Sequence, residues 1–242
     1  MEHDSHRKLT RLECFSRAES ADIVKMLDSL HEHFTKRFVS TGIYFWTLGT
    51  SAYLDAHEAH GDNAQKTNDI IASNFGKFYL KMFGVLQDYL GEPVTSPPSV
   101  NVPGFHIFEE LNNLPIGVPY GGNIHKDNPH ISSVFPFHHT NPITFTIMLE
   151  TPKNGAGLNY WDDDIINNTT SLSNRFDKMS TRLQERLVKT VKTFKYKIGE
   201  LVIFDGQTTH QIANMVATDK NDRRLSIQGH GVLTDDGYIV YF

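Results

Sequence analysis

Two His-x-Asp pairs occur in this 242-residue sequence, and such a pair can direct two side chains at one metal ion from the end of a strand. His60 and Asp62 precede a predicted helix, and we interpret them as part of a solvated polar loop. His125 and Asp127 instead follow a strand-like segment and precede alternating strands. The second pair is therefore the candidate for chemistry.

A third candidate ligand follows 85 residues after His125, in the segment GELVIFDGQTTH. Leu201 and Ile203 alternate there as in a strand, and His210 follows a short turn. Two histidines and one carboxylate on one side of a metal form the facial triad of non-haem Fe(II) oxygenases, which leaves coordination positions open for a co-substrate and O₂. We predict that His125, Asp127 and His210 bind one metal ion.

The last long predicted strand has a polar face and an apolar face. Its polar residues share one face by period two: Arg224, Ser226, Gln228 and His230. Leu225 and Ile227 share the other face. A solvent-facing polar face is one interpretation. The other is a buried site in which Arg224 presents its planar guanidinium to a dicarboxylate.

The ordered set His125-x-Asp127, His210 and Arg224-x-Ser226 resembles the Fe(II)- and 2-oxoglutarate-dependent oxygenases, a double-stranded β-helix family. The resemblance covers roughly residues 102–242. Three segments are also similar to small stand-alone oxygenases that act on free amino acids, a group of hydroxylases and halogenases: VPGFHIF (Val102–Phe108), GAGLNYWD (Gly155–Asp162) and RLSIQGHG (Arg224–Gly231).

The resemblance implies Fe(II) as cofactor, with 2-oxoglutarate and O₂ as co-substrates. His125, Asp127 and His210 would bind the iron, and Arg224, helped by Ser226, would hold the distal carboxylate of 2-oxoglutarate. In the halogenases a small residue replaces the carboxylate ligand so that chloride can bind. Because Asp127 is present, the resemblance implies hydroxylation rather than halogenation.

Candidate substrate-binding residues are assigned with their structural alternatives. Gln228 and His230 are preferred because they share a face with Arg224. His106 alternates with apolar neighbours and is either a packed core histidine or a group beside the site. Glu109 is a candidate partner for a substrate ammonium group or an exposed strand-end carboxylate. Asn123 is a candidate hydrogen-bond donor to substrate or a turn former.

Helical periodicity dominates the first third of the chain. Ser16 and Glu19 have capping-box spacing, and apolar residues then recur at steps of three and four: Ile23, Leu27, Leu30, Phe34 and Phe38. A second helix is predicted from a second apolar face, ended by Gly91 and Pro93: Ile71, Phe75, Phe78, Met82 and Leu86. After Ser96–Pro98 the period changes to two, which indicates half-buried strands.

This order predicts one domain that is mainly β, with an α buttress. Residues 1–98 form the helical N-terminal buttress, and residues 99–242 form the jelly-roll core. The expected architecture is a double-stranded β-helix, a jelly-roll or cupin-like barrel, with the N-terminal helices packed on one sheet.

Composition excludes several classes of protein. Lys and Arg total 23 against 28 Asp and Glu, so the net charge is −5, and no basic run marks a nucleic-acid surface. No apolar stretch has the length of a membrane span, and the start of the chain lacks the apolar core of a signal peptide. The single Cys14 excludes an internal disulfide. We expect a soluble, cytoplasmic protein without nucleic-acid or membrane partners, and leave the oligomeric state open.

The leading hypothesis is a hydroxylase of an unactivated C–H bond in a small polar substrate, with a free amino acid favoured. Desaturation or halogenation at the same site is one alternative. A cupin-like protein that binds a metabolite or metal without turnover is another, but it has no evident need for Arg224 and Ser226 at this spacing.

Overall fold

A computed structural model describes residues 9–40, 43–55, 60–109, 124–127, 140–162, 179–216 and 222–242. Within these ranges the helices are α1 (Arg17–Asp28), α2 (His60–Leu90) and α3 (Thr181–Thr190), with a 3₁₀ turn at His31–His33. The strands there are β1 (Thr10–Glu13), β2 (Thr35–Ser40), β3 (Ile43–Leu48), β4 (Val94–Thr95), β5 (Gly104–Glu109), β6 (Thr140–Glu150), β7 (Asn154–Gly155), β8 (Leu158–Trp161), β9 (Lys192–Phe194), β10 (Glu200–Asp205), β11 (Thr209–Ile212), β12 (Met215–Val216), β13 (Arg223–Thr234) and β14 (Gly237–Tyr241).

Within the described ranges the largest sheet has nine strands, and β13 lies near its middle. Its main path runs β1-β10-β6-β13-β5-β3-β2, and every pair on this path is antiparallel. β14 pairs with the end of β13, and the short β4 pairs with β14 in parallel. The first third of the chain therefore supplies strands to this sheet as well as helices.

One face of the large sheet packs against α1 and α2, as expected of an α buttress. The sheet contributes alternate residues of β5, β6 and β13 to this core: Phe105, Ile107, Phe145, Ile147, Leu225 and Ile227. The predicted apolar faces of both helices are buried against them, from Ile23 and Leu27 in α1 to Leu86 in α2. Burial of these apolar side chains is what joins the helices to the sheet.

The opposite face of the same strands is polar and is nevertheless buried. Register partners on neighbouring antiparallel strands lie on the same face of the sheet. Ser226 therefore shares a face with His106 of β5, and His230 shares a face with Thr144 of β6. Arg224, at 2% exposure, also lies on this face. The polar face of β13 is therefore buried within the protein and does not face solvent.

The second, smaller sheet has the order β11-β8-β9, and β12 pairs separately with β7. Within the described ranges these sheets do not close into a barrel, which corrects that part of the prediction. The physical reason is that β1 and β2, at the two ends of the large sheet's path, do not pair with each other, and its described strands are not hydrogen-bonded to β11-β8-β9.

The prediction that the first helix continues through Phe34 to Phe38 is wrong. α1 ends at Asp28, where Ser29 caps it, and β2 begins at Thr35 and pairs with β3. The spacing of Phe34 and Phe38 fits a helix, but pairing with β3 provides the chain with a ladder of hydrogen bonds that local periodicity does not report.

Among the described residues, no helix combines the length and the apolar character that a membrane crossing requires.

The capping box at the start of α1 is formed as predicted. The Ser16 hydroxyl accepts from the backbone of Glu19 at 3.1 Å, and the Glu19 carboxylate accepts from the backbone of Ser16 at 2.7 Å. The same carboxylate binds Lys81 of α2 at 2.7 Å, so one residue caps α1 and links it to α2.

We expect Ser16→Ala to lower the free energy of unfolding by about 1 kcal/mol, because it removes one partner of a helix N–H group. Ser16→Asp keeps an accepting oxygen and should retain most of the stability. Chemical denaturation of the three proteins measures the difference. Equal losses in both variants would contradict the role of the cap.

Candidate metal centre

Two segments that are far apart in sequence are joined by backbone hydrogen bonds at the candidate metal centre. The N–H of His125 donates to the carbonyl of His210 at 2.9 Å, and the N–H of His210 donates back at 2.8 Å. The N–H of Asp127 donates to the carbonyl of Gly206 at 2.9 Å, in the turn between β10 and β11. These bonds bring the His125–Asp127 pair to the start of β11.

The ligand atoms of His125, Asp127 and His210 all lie within 4.8 Å of one another. Nε2 of His125 lies 3.6 Å from one carboxylate oxygen of Asp127, and Nε2 of His210 lies 3.4 Å from the other. The side chain of His210 is buried, whereas that of His125 is 32% exposed. The cluster is thus anchored on the His210 side and more open on the His125 side.

The tautomer of His210 follows from its hydrogen bond to the backbone. Its Nδ1 lies 2.9 Å from the carbonyl oxygen of Thr208, which only accepts, so Nδ1 carries the proton. Burial lowers the pKa of His210 to about 4, although Asp127 opposes this shift. At neutral pH the ring is therefore uncharged, with the lone pair of Nε2 available to a metal.

Asp127 is ionised in this environment. Burial by itself would raise its pKa, but His210, His230 and His125, together with a hydrogen bond from Thr144, hold the pKa below its usual range. The hydroxyl of Thr144 lies 2.6 Å from Oδ2 of Asp127. Two imidazoles and a carboxylate form a donor set that suits a divalent transition metal with open positions.

The guanidinium of Arg224 lies on the polar face among hydroxyl and aromatic groups. Nη1 donates to the Ser226 hydroxyl at 3.2 Å. Its carbon lies 5.5 Å from the ring centroid of Phe108 and 5.8 Å from that of Tyr196. Burial lowers the pKa of Arg224, but a guanidinium stays charged in proteins.

Arg223 differs from the adjacent Arg224 in that its guanidinium binds two carboxylates. It binds Asp28 of α1 through two nitrogens, at 2.7 and 3.0 Å, and Glu150 of β6 at 2.6 Å. Arg224, by contrast, has no carboxylate within ion-pair distance among the described residues, and its Nε lacks a hydrogen-bond partner there. A buried cation without a counter-ion is costly, so this position suits an anionic ligand.

Three of the five candidate substrate residues lie on the polar face. His106 is buried and its Nε2 lies 3.2 Å from the hydroxyl of Tyr53. His230 is buried beside Asp127, with its Nδ1 3.8 Å from Oδ2, and Gln228 is half-buried. Nδ1 of His106 and Nε2 of His230 are buried atoms without a hydrogen-bond partner in the part of the chain described.

The other two candidate substrate residues cannot be placed in the site. The backbone of Glu109 pairs with Arg223 at the end of β5, but its side chain lies outside the described residues. Asn123 lies outside the described residues altogether. Both assignments stay predictions.

Sequence reasoning missed several residues around the site. Thr144 and Thr146 alternate with the core residues Phe145 and Ile147, so period two would have placed them on the polar face. Tyr196 lies between β9 and β10, in irregular backbone, where no periodic signal exists. Tyr53 likewise reaches the site from the segment after β3.

No protein-family model matches this sequence, and no curated protein matches it. Solved structures do match. SnoK, a non-heme alpha-ketoglutarate-dependent carbocyclase from nogalamycin biosynthesis, has a TM-score of 0.52 at 12% identity, over 94% of this chain and 79% of that one. The epimerase SnoN, in complex with Fe³⁺, alpha-ketoglutarate and nogalamycin RO, has a TM-score of 0.52 at 12% identity, over 93% and 79%.

A third match is AviO1 from Streptomyces viridochromogenes Tue57, with a TM-score of 0.50 at 9% identity over 96% of this chain and 92% of that one. Identities this low show a shared fold and nothing finer. They confirm the predicted double-stranded β-helix, the fold of these oxygenase structures.

We expect Asp127→Ala and His210→Ala each to weaken the binding of Co(II), a redox-stable substitute for Fe(II), by more than about 100-fold. The loss of a ligand should exceed the 10- to 100-fold effect of removing an outer partner. Isothermal titration calorimetry measures the change. His33→Ala, which removes an exposed histidine, is the control. An equal loss in that variant would show that the metal binds elsewhere.

Proposed function

We propose that this protein is an Fe(II)- and 2-oxoglutarate-dependent oxygenase that acts on a small polar molecule. The observation that carries the proposal is the convergence of His125, Asp127 and His210 beside a buried arginine. Arg224 lies on the same face of β13 as His230, and Nδ1 of His230 lies 3.8 Å from Oδ2 of Asp127. A metal-binding cluster and an anion-binding group are thus adjacent.

His125, Asp127 and His210 would hold Fe(II). When bound, Fe(II) with 2-oxoglutarate and O₂ supplies an oxidant for a C–H bond, with release of succinate and CO₂. Imidazoles bind a metal in their neutral form, so two histidines and one carboxylate would bring a single negative charge to a dication. A facial arrangement of these three ligands would leave coordination positions open for further ligands.

Arg224 would bind the distal carboxylate of 2-oxoglutarate, with the hydroxyl of Ser226 and the ring of Tyr196 beside it. Its planar fork matches a carboxylate, and the Nε that lacks a partner among the described residues offers a further donor. Phe108 covers the guanidinium and limits its access to water. These groups hold the co-substrate in place rather than react with it.

We propose hydroxylation as the outcome, because Asp127 stands at the position where a halogenase would need a small residue. The structural neighbours include a carbocyclase and an epimerase, so proteins of this fold catalyse other reactions too. Hydroxylation and desaturation both begin with removal of hydrogen from carbon, and product mass distinguishes them.

We propose a free amino acid as the substrate class, on the similarity of the three segments around His106, Asn159 and Arg224 to stand-alone amino-acid oxygenases. His106, Gln228 and His230 would face it. Burial lowers the pKa of His106 to about 3, with Arg224 adding to the effect, and burial lowers the pKa of His230, so both rings are neutral at pH 7. They would exchange hydrogen bonds with uncharged polar groups.

We also propose a single domain, with residues 1–98 as buttress and 99–242 as jelly-roll core. Support comes from the shared core of α1, α2 and the large sheet, and from strands β1 to β3, which extend that sheet.

With 2-oxoglutarate and Fe(II) under anaerobic conditions, we expect the weak visible charge-transfer band of a chelate. Arg224→Ala should raise the 2-oxoglutarate concentration needed for half of this band about 10- to 100-fold, because a charge-assisted pair is lost. Arg223→Ala, which alters a guanidinium bound by Asp28 and Glu150, is the matched control. If Arg223→Ala had the larger effect, the anchor would be misassigned.

A screen of free amino acids and related metabolites with Fe(II), 2-oxoglutarate, O₂ and ascorbate tests the reaction. We expect one product heavier by one oxygen atom, with equimolar succinate. A mass lower by two hydrogens would identify desaturation instead. If no succinate was released, either with any of these compounds or without them, the cupin-like binding protein would be the better interpretation.

A further inference from the structure

Thr144 contacts the metal-binding carboxylate from the centre of the large sheet. It lies on β6 between Phe204 of β10 and His230 of β13, and its side chain is almost fully buried. Its hydroxyl lies 2.6 Å from Oδ2 of Asp127. Hydroxyl-to-carboxylate bonds of this length are among the stronger hydrogen bonds in proteins.

The direction of this hydrogen bond follows from chemistry. A carboxylate that binds a metal is ionised and can only accept, so the Thr144 hydroxyl donates its single proton to Asp127. The hydroxyl oxygen then has only lone pairs left for its other neighbour. That neighbour is Nδ1 of His230, at 3.4 Å.

His230 therefore stands behind Thr144 as a donor. Nδ1 faces the Thr144 oxygen and, at 3.8 Å, Oδ2 of Asp127, and both of these atoms accept. Nδ1 of His230 therefore carries a proton. His230, Thr144 and Asp127 form a chain of hydrogen bonds that all point toward the carboxylate.

Among the described residues, no backbone group hydrogen-bonds the carboxylate of Asp127. The hydrogen bond from its N–H to Gly206 places the Cα atom, but rotation about the side-chain bonds still moves both oxygens. The Thr144 hydroxyl holds Oδ2, which leaves Oδ1 toward His125. A ligand that is held in place before the metal arrives loses less conformational entropy on binding.

We propose that Thr144, supported by His230, is a positioning residue that orients the Asp127 carboxylate and thereby sets the affinity and coordination geometry of the metal. This inference rests on the proposed function, because it takes Asp127 as a metal ligand. Outer hydrogen bonds of this kind change metal affinity about 10- to 100-fold in metalloproteins.

The test uses the full chain, with Co(II) as the probe. Thr144→Val removes the hydroxyl at nearly the same volume, and Thr144→Ser keeps it. Thr209→Val is the matched control, because Thr209 is also a buried threonine beside a candidate ligand, His210, but its hydroxyl has no hydrogen-bond partner among the described residues. Calorimetry gives the dissociation constant, and the visible absorption of Co(II) reports its coordination.

We expect Thr144→Val to raise the Co(II) dissociation constant about 10- to 100-fold and to shift the absorption bands, with Thr144→Ser and Thr209→Val close to the wild type. Melting of the metal-free proteins shows whether each variant folds. An effect on melting alone, without a change in affinity or spectrum, would mean that Thr144 is merely structural and would overturn the inference. The same holds if Thr144→Ser binds as poorly as Thr144→Val.

The two proposals fail in different ways. If the wild type binds Co(II) and Asp127→Ala does not, while Thr144→Val binds normally, only the positioning role is wrong. If the wild type does not bind Co(II), or binds it without Asp127, the metal centre itself is wrong and the inference falls with it.

Discussion

A pair of backbone hydrogen bonds between His125 and His210 is the contact on which the site depends. It joins two short segments that are 85 residues apart, and it places a histidine from each on one cluster with Asp127. A main-chain bridge constrains both Cα positions whatever side chains are present. The hydrogen bonds of Thr208 and Thr144 then orient individual rings and oxygens on that scaffold.

Alternation along β13 explains how the large sheet can have a buried polar face without weakening the core. Leu225 and Ile227 pack against the helices, while Arg224 and Ser226 lie on the opposite side of the same strand. Burial of apolar side chains on one face stabilises the fold, so the side chains of the other face can be polar and can bind ligands. A buried guanidinium without a carboxylate partner among the described residues is unfavourable by itself and becomes favourable when an anion binds.

The fold and the site answer different questions. Proteins of the same fold, at about one residue in eight identical, are named as a carbocyclase and an epimerase, so architecture leaves the reaction open. The proposed iron- and 2-oxoglutarate-dependent reaction instead depends on particular side chains of this chain. These are the cluster of His125, Asp127 and His210, and the buried guanidinium of Arg224. The proposed substrate class depends in addition on His106 and His230, the two buried histidines of the polar face.

The sequence by itself determined the two apolar periodicities, the cap at Ser16, the polar face of β13 and the types of the candidate ligands, because these depend on local spacing and on side-chain chemistry. It failed at Phe34 and Phe38, where pairing of β2 with β3 overrode a helical spacing. Tertiary structure alone decided that Thr144 contacts Asp127, that Tyr196 and Tyr53 lie beside the site, and that His125 meets His210. Such contacts form between segments that are distant along the chain, and no local pattern encodes the distance between them.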